Sequence, residues 1–480
     1  MGSGFDFETG TKNLRAAAAA AAVATSPPPH PWVAARWRRE SMRAKLGRAP
    51  DFGHRRGSFM SRLQYAGVVR DCDLAERVLR QAFECPGVVD TVMCNAALST
   101  FASDGRWQVV LEVMRQMREA GLTPNAVTYI NAIKACGKGR EWRRSVALLK
   151  EMSAHGVEPN SIHYVCAMTA CKISGVGAKA LGLLREMQAA GVESNVICYN
   201  AAIDACGKGG QSEVAVELLR EMASMGVSPN DSTYTAAITA CGNSGRWEEA
   251  LSLLREMPAM GADPNIASYT AAIKACRNAG EGKKAVALLR EMQAELSVTP
   301  NVISYTAAIA ACWKGDQWKQ ALELLREMAS MGVSPNVKTY TAAITACGNS
   351  GRWEEALSLL REMPAMGADP NIASYTAAIK ACRNGGQWEM SLTLLREIPS
   401  VGIPTDAQSY NVAIKACGDA GEGKKAVALL REMKAELSAP PNVISYLAAI
   451  TACGKGDQWK QALELLREMA SMGVSPNGKT

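Results

Sequence analysis

One pattern of 35 residues, seen most clearly in Val302–Asn336 (VISYTAAIAACWKGDQWKQALELLREMASMGVSPN), recurs from Thr91 to Asn477, and this period constrains the fold more than any other feature. Copies begin at Thr91, Ala126, Ser161, Val196, Asp231, Ile266, Val302, Val337, Ile372, Ala407 and Val443. Nine have 35 residues. Those starting at Ile266 and Ala407 have 36, with the extra residue in the linkers AELSVTPN and AELSAPPN, where insertion is tolerated best. Residues 233–278 and 339–384 are identical, which points to duplication of a segment. Length alone would suggest three domains, but the period implies one supersecondary unit stacked many times.

Each copy is numbered here from its first residue, so that Tyr305 holds place 4 and Asn336 place 35. Helical periodicity then occurs twice per copy. Tyr305, Ile309 and Cys312 fall at i, i+4, i+7, and Trp318, Ala321, Leu322 and Leu325 at i, i+3, i+4, i+7. Lys314-Gly315-Asp316 separates the two runs, with Asp316 expected as N-cap of the second helix. Gly332 and Pro335 end that helix. A helical hairpin of this kind cannot bury its apolar face alone, so stacking predicts an all-α solenoid with a concave surface. Residues 56–90 read as a degenerate copy that caps the array, with Phe59 in the Tyr place, Leu63 in the Ile place, and Ala75 with Leu79 in the second helix. Residues 478–480 read as the truncated start of a further copy.

Ten of the 15 cysteines recur at place 11, without a CxxC pair or signal-peptide pattern, which argues for reduced, packed thiols rather than disulfides or metal ligands. The longest apolar run, Ala16–Ala24, is too short to span a membrane. Residues 1–55 hold nine Lys or Arg against four Asp or Glu and are Ala- and Arg-rich, a composition like that of an organelle transit peptide; a disordered leader is the alternative.

Residues 56–480 are nearly neutral, with 44 basic and 42 acidic side chains, so placement of charge decides what they attract. At 100° per residue, places 4, 7, 8 and 11 of the first helix face the core and places 2, 5, 9, 12 and 13 face away. Places 9, 12 and 13 hold Lys134, Lys138, Lys172, Lys208, Lys274, Arg277, Lys314, Lys380, Arg383, Lys415 and Lys455 against only Asp204 and Asp419. Such a one-sided stripe suits contact with the phosphates of a linear polyanion.

The repeat length, Tyr at place 4, Ile at place 8, the Ala-Leu-x-Leu-Leu second helix and the Glu-Met, Gly and Pro-Asn ending resemble pentatricopeptide repeats. The Trp-Leu-Gly-Tyr signature of tetratricopeptide repeats is absent. The resemblance covers residues 91–477 and implies a right-handed superhelix that binds single-stranded RNA in chloroplasts or mitochondria, one base per repeat. It further implies base reading by places 5 and 35, and base wedging by an apolar place 2. Carried onto this chain, Thr235/Asn265, Thr270/Asn301, Thr306/Asn336 and Thr341/Asn371 imply adenine, and Thr376/Asp406 implies guanine. Asn95/Asn125, Asn200/Asn230 and Asn411/Asn442 imply a pyrimidine, while Ile130, Val165 and Leu447 leave their copies silent. The implied site is Y-N-N-Y-A-A-A-A-G-Y-N. Val92, Val127, Ile162, Ile197, Ile303 and Ile444 fit the wedge; Ser232, Ala267, Lys338, Ala373 and Gln408 do not. The Asn at place 35 also reads as a turn or N-cap residue after Pro, and both roles can hold together.

Gly473–Thr480 matches the phosphate-loop pattern GxxxxGK[ST], but GVSPNVKT at 332–339 marks the segment as a repeat linker. Four His, no HxE and no acidic metal cluster leave no zinc or nuclease signature. The seven Trp at place 17, Trp107, Trp142, Trp247, Trp318, Trp353, Trp388 and Trp459, open the second helix and read as packing residues. The expectation is a non-catalytic, monomeric RNA-binding protein of the chloroplast, or alternatively the mitochondrion. It requires no cofactor and no membrane, and any processing, splicing or translation factor would be recruited. A protein-interaction scaffold on the same surface is the rival.

Overall fold

In the computed structural model, residues 56–471 are described apart from 86, 297–298, 315 and 438–440, and every regular element among them is helical. The leader 1–55, the phosphate-loop-like segment 473–480 and the truncated copy start at 478–480 lie outside the described residues. The chain divides into two compact units, residues 1–174 and 175–480. The first holds the hairpin Arg56–Val69/Cys72–Phe83, the hairpins of the Thr91 and Ala126 copies, and the helix Ser161–Ser174. The second begins with the helix Gly177–Ala189 and continues through eight hairpins, from Val196–Lys208/Ser212–Ser224 to Val443–Lys455/Trp459–Ser471. Within each unit the first helices of successive copies pack on one another, and each second helix packs on the first helices before and after it.

Each first helix starts where an oxygen can satisfy its orphan amides. The place-35 Asn or Asp is the N-cap, accepting from the amide at place 3 of the next copy, as Asn125 Oδ1 does from Thr128 N–H at 3.1 Å. The Ser or Thr at place 3 is buried and returns a hydroxyl acceptor to the cap amide, completing a capping box at Asn125, Asn230, Asn265, Asn336, Asp406 and Asn442. In the Ser161 copy, buried His163 fills that place, and its Nδ1 accepts from Asn160 N–H at 3.2 Å.

Between the two helices the residue at place 15 takes a left-handed conformation. Glycine does so in most copies, but Arg140 (φ 62°), Asp316 (φ 55°) and Asp457 (φ 56°) do it with a side chain. The following amide donates to the place-11 carbonyl, as in Gln211 to Cys206 at 2.9 Å, closing a Schellman-type turn. Asp316 is therefore not the expected N-cap of its second helix. Gln317 holds the cap position without a side-chain hydrogen bond, because reversing the chain claims Asp316 for the left-handed turn.

The core stripe follows the sequence periodicity: Tyr305, Ile309 and Cys312 are at most 1% exposed. Burial pushes the Cys136 and Cys206 thiols up to about 11 and Cys312 up to about 12, so these are packed, unreactive thiols. Buried tyrosines such as Tyr129, Tyr234 and Tyr305 keep their polar ends satisfied across the hairpin. Tyr305 Oη donates to Glu327 at 2.9 Å, and Glu327 in turn pairs with Arg290 of the preceding copy. The same arrangement ties Tyr199, Glu221 and Arg185, and Tyr446, Glu468 and Lys434. Glycine at place 12 lets successive first helices approach closely: a Cβ on Gly207, Gly242 or Gly348 would meet the Cβ of Ala240, Ala275 or Ala381 at 2.8 Å or less.

Two tests follow from these interactions. Replacing Arg140 with Gly removes a left-handed side-chain residue, so R140G is expected to be stabilised by about 1 kcal/mol in urea unfolding, and Gly245→Ala destabilised by a similar amount. Burial, then the neighbouring Glu, pushes Tyr234, Tyr305, Tyr340 and Tyr375 up to about 12. Their folded values exceed the unfolded value near 10, so their contribution is full below about pH 10 and is lost as pH rises towards 12. Hydrogen bonds from Arg185, Arg290 and Lys434 hold Glu221, Glu327 and Glu468 below the usual carboxylate range, so that contribution is present above about pH 4.3 and lost on acidification. Circular dichroism against pH should show helix loss at both ends, with alkaline loss tracking tyrosinate absorbance.

Candidate nucleic-acid interface

In the Thr91, Ile266, Val302 and Val337 copies, folding joins place 5 to the cap that ends the same copy, across some thirty residues, through place 3 of the next copy. Asn95 Nδ2 donates to Asn125 Oδ1 at 3.1 Å, and Thr128 Oγ1 donates to Asn95 Oδ1 at 2.8 Å. The hydroxyls of Thr270 and Ser304 lie 2.6 Å apart, those of Thr306 and Thr339 2.7 Å, and those of Thr341 and Ser374 3.0 Å. Ser304, Thr339 and Ser374 each bond Asn301, Asn336 or Asn371. Thr376 differs: its hydroxyl donates back to Ile372 O at 2.8 Å, and Ser409 turns to the main chain of Asp406. Asn200 and Asn411 hold buried Oδ1 atoms without a partner, beside the caps Asn230 and Asn442. Ile130, Val165 and Leu447 are half-buried at the same place.

Capping also decides what place 35 can offer a ligand. With Oδ1 committed to helix amides, as for Asn301, Asn336 and Asn371, the amide turns outward only its Nδ2 donors. Asp406 commits Oδ1 to Ser409 N–H at 2.8 Å, and its second oxygen is an acceptor. The cap thus leaves the second polar atom of each of these side chains uncommitted to the helix.

All six apolar place-2 residues, Val92, Val127, Ile162, Ile197, Ile303 and Ile444, are 50–64% exposed. In the second unit the reading residues line open clefts. One, of about 570 Å³, has Thr235, Thr270, Lys274, Asn301 and Ile303 on its walls. Another, of about 710 Å³, is bordered by Thr306, Thr341, Asn371, Lys338 and Trp313.

The basic stripe separates into two groups. Lys134, Lys208, Lys274, Lys380 and Lys415 are exposed and carry no ion pair or hydrogen bond among the described residues. The others are engaged. Lys138 donates to Ser103 O at 2.6 Å and Lys314 to Ala279 O at 3.4 Å, capping the first helix of the preceding copy, while Arg277 bonds Asn278. Arg383 and Lys455 both hold Asp419, at 2.7 and 3.1 Å. Burial pushes the Asp419 carboxyl up, but these two cations outweigh it and keep it below its usual range. Lys172 is half-buried and partnered.

Of the place-17 tryptophans, Trp107, Trp142, Trp247, Trp318, Trp353 and Trp388 are half-buried, whereas Trp459 is 62% exposed, and three are covered by a cation of the following copy. Arg144 lies 4.2 Å above the Trp107 ring, Arg352 5.1 Å above Trp318 and Lys425 3.8 Å above Trp388. Sequence reasoning passed over Trp313, at place 12 of the Val302 copy, which is 41% exposed on the cleft. Its signal is a departure from the pattern, a large aromatic at a groove-facing place held elsewhere by glycine, alanine or a cation. Among the described residues no group of three or more His, Cys, Asp or Glu is placed to hold a metal ion, and no helix is long and apolar enough to cross a membrane.

Among solved structures, the pentatricopeptide repeat protein PPR10 from maize is similar at 22% identity and a TM-score of 0.42, over 96% of this chain and 88% of that one. Yeast Rmd9p in complex with a 16-nt target RNA is similar at 10% identity and a TM-score of 0.43, over 93% and 98%. The PPR domain of Arabidopsis thaliana protein-only RNase P 1 in complex with tRNA is similar at 16% identity and 0.31, over 36% and 91%. Curated protein sequences give no match. The description "PPR repeat family" matches residues 89–138, 194–243, 232–278, 300–349 and 340–384, and "Pentatricopeptide repeat domain" matches 147–208. "PPR repeat" matches 127–157, 267–295, 373–403, 408–436 and 444–474. With these matches tiling most of residues 89–474 and helical hairpins at the same period, the chain belongs to the pentatricopeptide repeat family.

Proposed function

We propose that this chain binds single-stranded RNA sequence-selectively, one base per repeat, and acts in organellar RNA processing, stability, splicing or translation. The observation that carries the reading is the joining of places 5 and 35 through place 3, beside an exposed apolar place 2 and unpaired lysines. The Nδ2 donors of Asn301, Asn336 and Asn371 suit the N1 acceptor of adenine, as does the hydrogen of Asn265 Nδ2 left over from its bond to Asp231, and the free oxygen of Asp406 suits the N–H donors of guanine. The reading therefore favours Y-N-N-Y-A-A-A-A-G-Y-N. Exposed apolar side chains at place 2 supply surfaces against which bases wedge.

In this reading the protein is a non-catalytic monomer that shields or remodels its site and recruits any processing factor. The basic, Ala-rich composition of residues 1–55 supports organelle targeting, to the chloroplast or alternatively the mitochondrion, and the hairpin of residues 56–90 serves as a cap. A protein scaffold would instead associate with RNA weakly and without salt dependence.

Affinity of the full chain for the RNA CUUCAAAAGCU should fall with salt at a logarithmic slope of about −3 to −4, reflecting the five unpaired lysines. Asp406→Asn keeps the N-cap and exchanges an acceptor for a donor, so the preference at the ninth nucleotide should move from G to A. A uniform loss of binding across sequences would assign Asp406 to the helix cap alone.

A further inference from the structure

The Val302 copy breaks the pattern of its neighbours at one point. Its first helix stops at Ala311, whereas the first helices before and after it run to Ala279 and Asn349, and Cys312, Trp313 and Lys314 form a turn. Place 12 is where Gly207, Gly242 and Gly348 abut an alanine of the following copy with no space for a Cβ. Lys172, Arg277 and Arg383 hold this place within unbroken helices, whereas in the Val302 copy the turn carries Trp313 to the groove.

There it is held. Trp313 Nε1 donates to Arg277 O at 3.3 Å, and Trp313 O accepts from Asn349 Nδ2 at 3.0 Å. With polar edge and main chain both anchored, the ring is 41% exposed on the cleft of about 710 Å³ that it shares with Thr341 and Asn371. The two place-2 residues bordering that reading pair, Lys338 and Ala373, line the same cleft and are the ones that supply no apolar wedge.

We propose that Trp313 is a base-stacking platform, supplying to the base read by Thr341 and Asn371 the aromatic surface that Lys338 and Ala373 lack. The inference rests on the RNA-binding reading above. An indole face takes any base, so Trp313 adds affinity at this copy while Thr341 and Asn371 choose the base. Because its Nε1–H is already bonded to Arg277 O, the ring recognises by stacking and not by donating to a base edge.

The test measures equilibrium binding of the full chain to CUUCAAAAGCU and to the same RNA with an abasic eighth nucleotide, the one opposite the Val337 copy. Trp313→Gly installs the residue that six other copies carry at this place, so the hairpin has a precedent for it. W313G should weaken binding to the intact RNA about tenfold or more, W313F should retain most affinity, and wild type and W313G should bind the abasic RNA alike. Equal binding of intact RNA by wild type and W313G, while Ile303→Ala weakens it, would overturn the platform and leave the RNA reading standing. A loss in W313G of the same size on both RNAs would also overturn it, by making Trp313 a structural residue. Absence of salt-sensitive RNA binding by the wild type would overturn the RNA reading and the platform with it.

Discussion

The amides at the start of each first helix must find an oxygen, and they find it on the last residue of the preceding copy. This cap is the interaction on which the array depends. It sets where the helix begins, it joins one copy to the next through place 3, and it fixes which atoms of place 35 remain free. Because one oxygen is consumed, asparagine becomes a pure donor and aspartate a pure acceptor. The helix cap and the atom left for a ligand are thus different atoms of a single side chain.

A second constraint comes from the buried tyrosines. A phenol inside a helical hairpin needs an acceptor, and a glutamate that accepts from it needs a cation. The chain meets both demands across copies, with Glu221 held by Arg185, Glu327 by Arg290 and Glu468 by Lys434. The Leu-Arg-Glu-Met run is thus a connector as well as a packing surface. Close helix approach at glycine is the complement to these polar ties, and in the one copy that carries tryptophan at this place the first helix ends at Ala311 and an aromatic face is exposed on the groove.

Much of this was legible from residue spacing. The hairpins, the core stripe of Tyr305, Ile309 and Cys312, and the outward face carrying Ile303 follow from a local period of 100° per residue. Asp316 was misread because a cap and a left-handed turn favour the same residue types, and only the course of the chain separates them. The eleven cations of the stripe looked equivalent. Arg383 and Lys455 lost that equivalence to Asp419, and Lys138 and Lys314 lost it to helix-end carbonyls of the copy before.

The identical blocks 233–278 and 339–384 separate the two sources of information. Thr270 and Thr376 have the same sequence from well before their helix to within a residue of its end, yet Thr270 bonds Ser304 across the copy junction whereas Thr376 bonds its own helix at Ile372. By itself the sequence determined the family, the number of copies, their helices and the residues facing the groove, because these depend on neighbours within a few turns. Tertiary structure alone decided which of those residues are occupied, which are free and where Trp313 points, because each answer depends on a partner some 33 to 36 residues away.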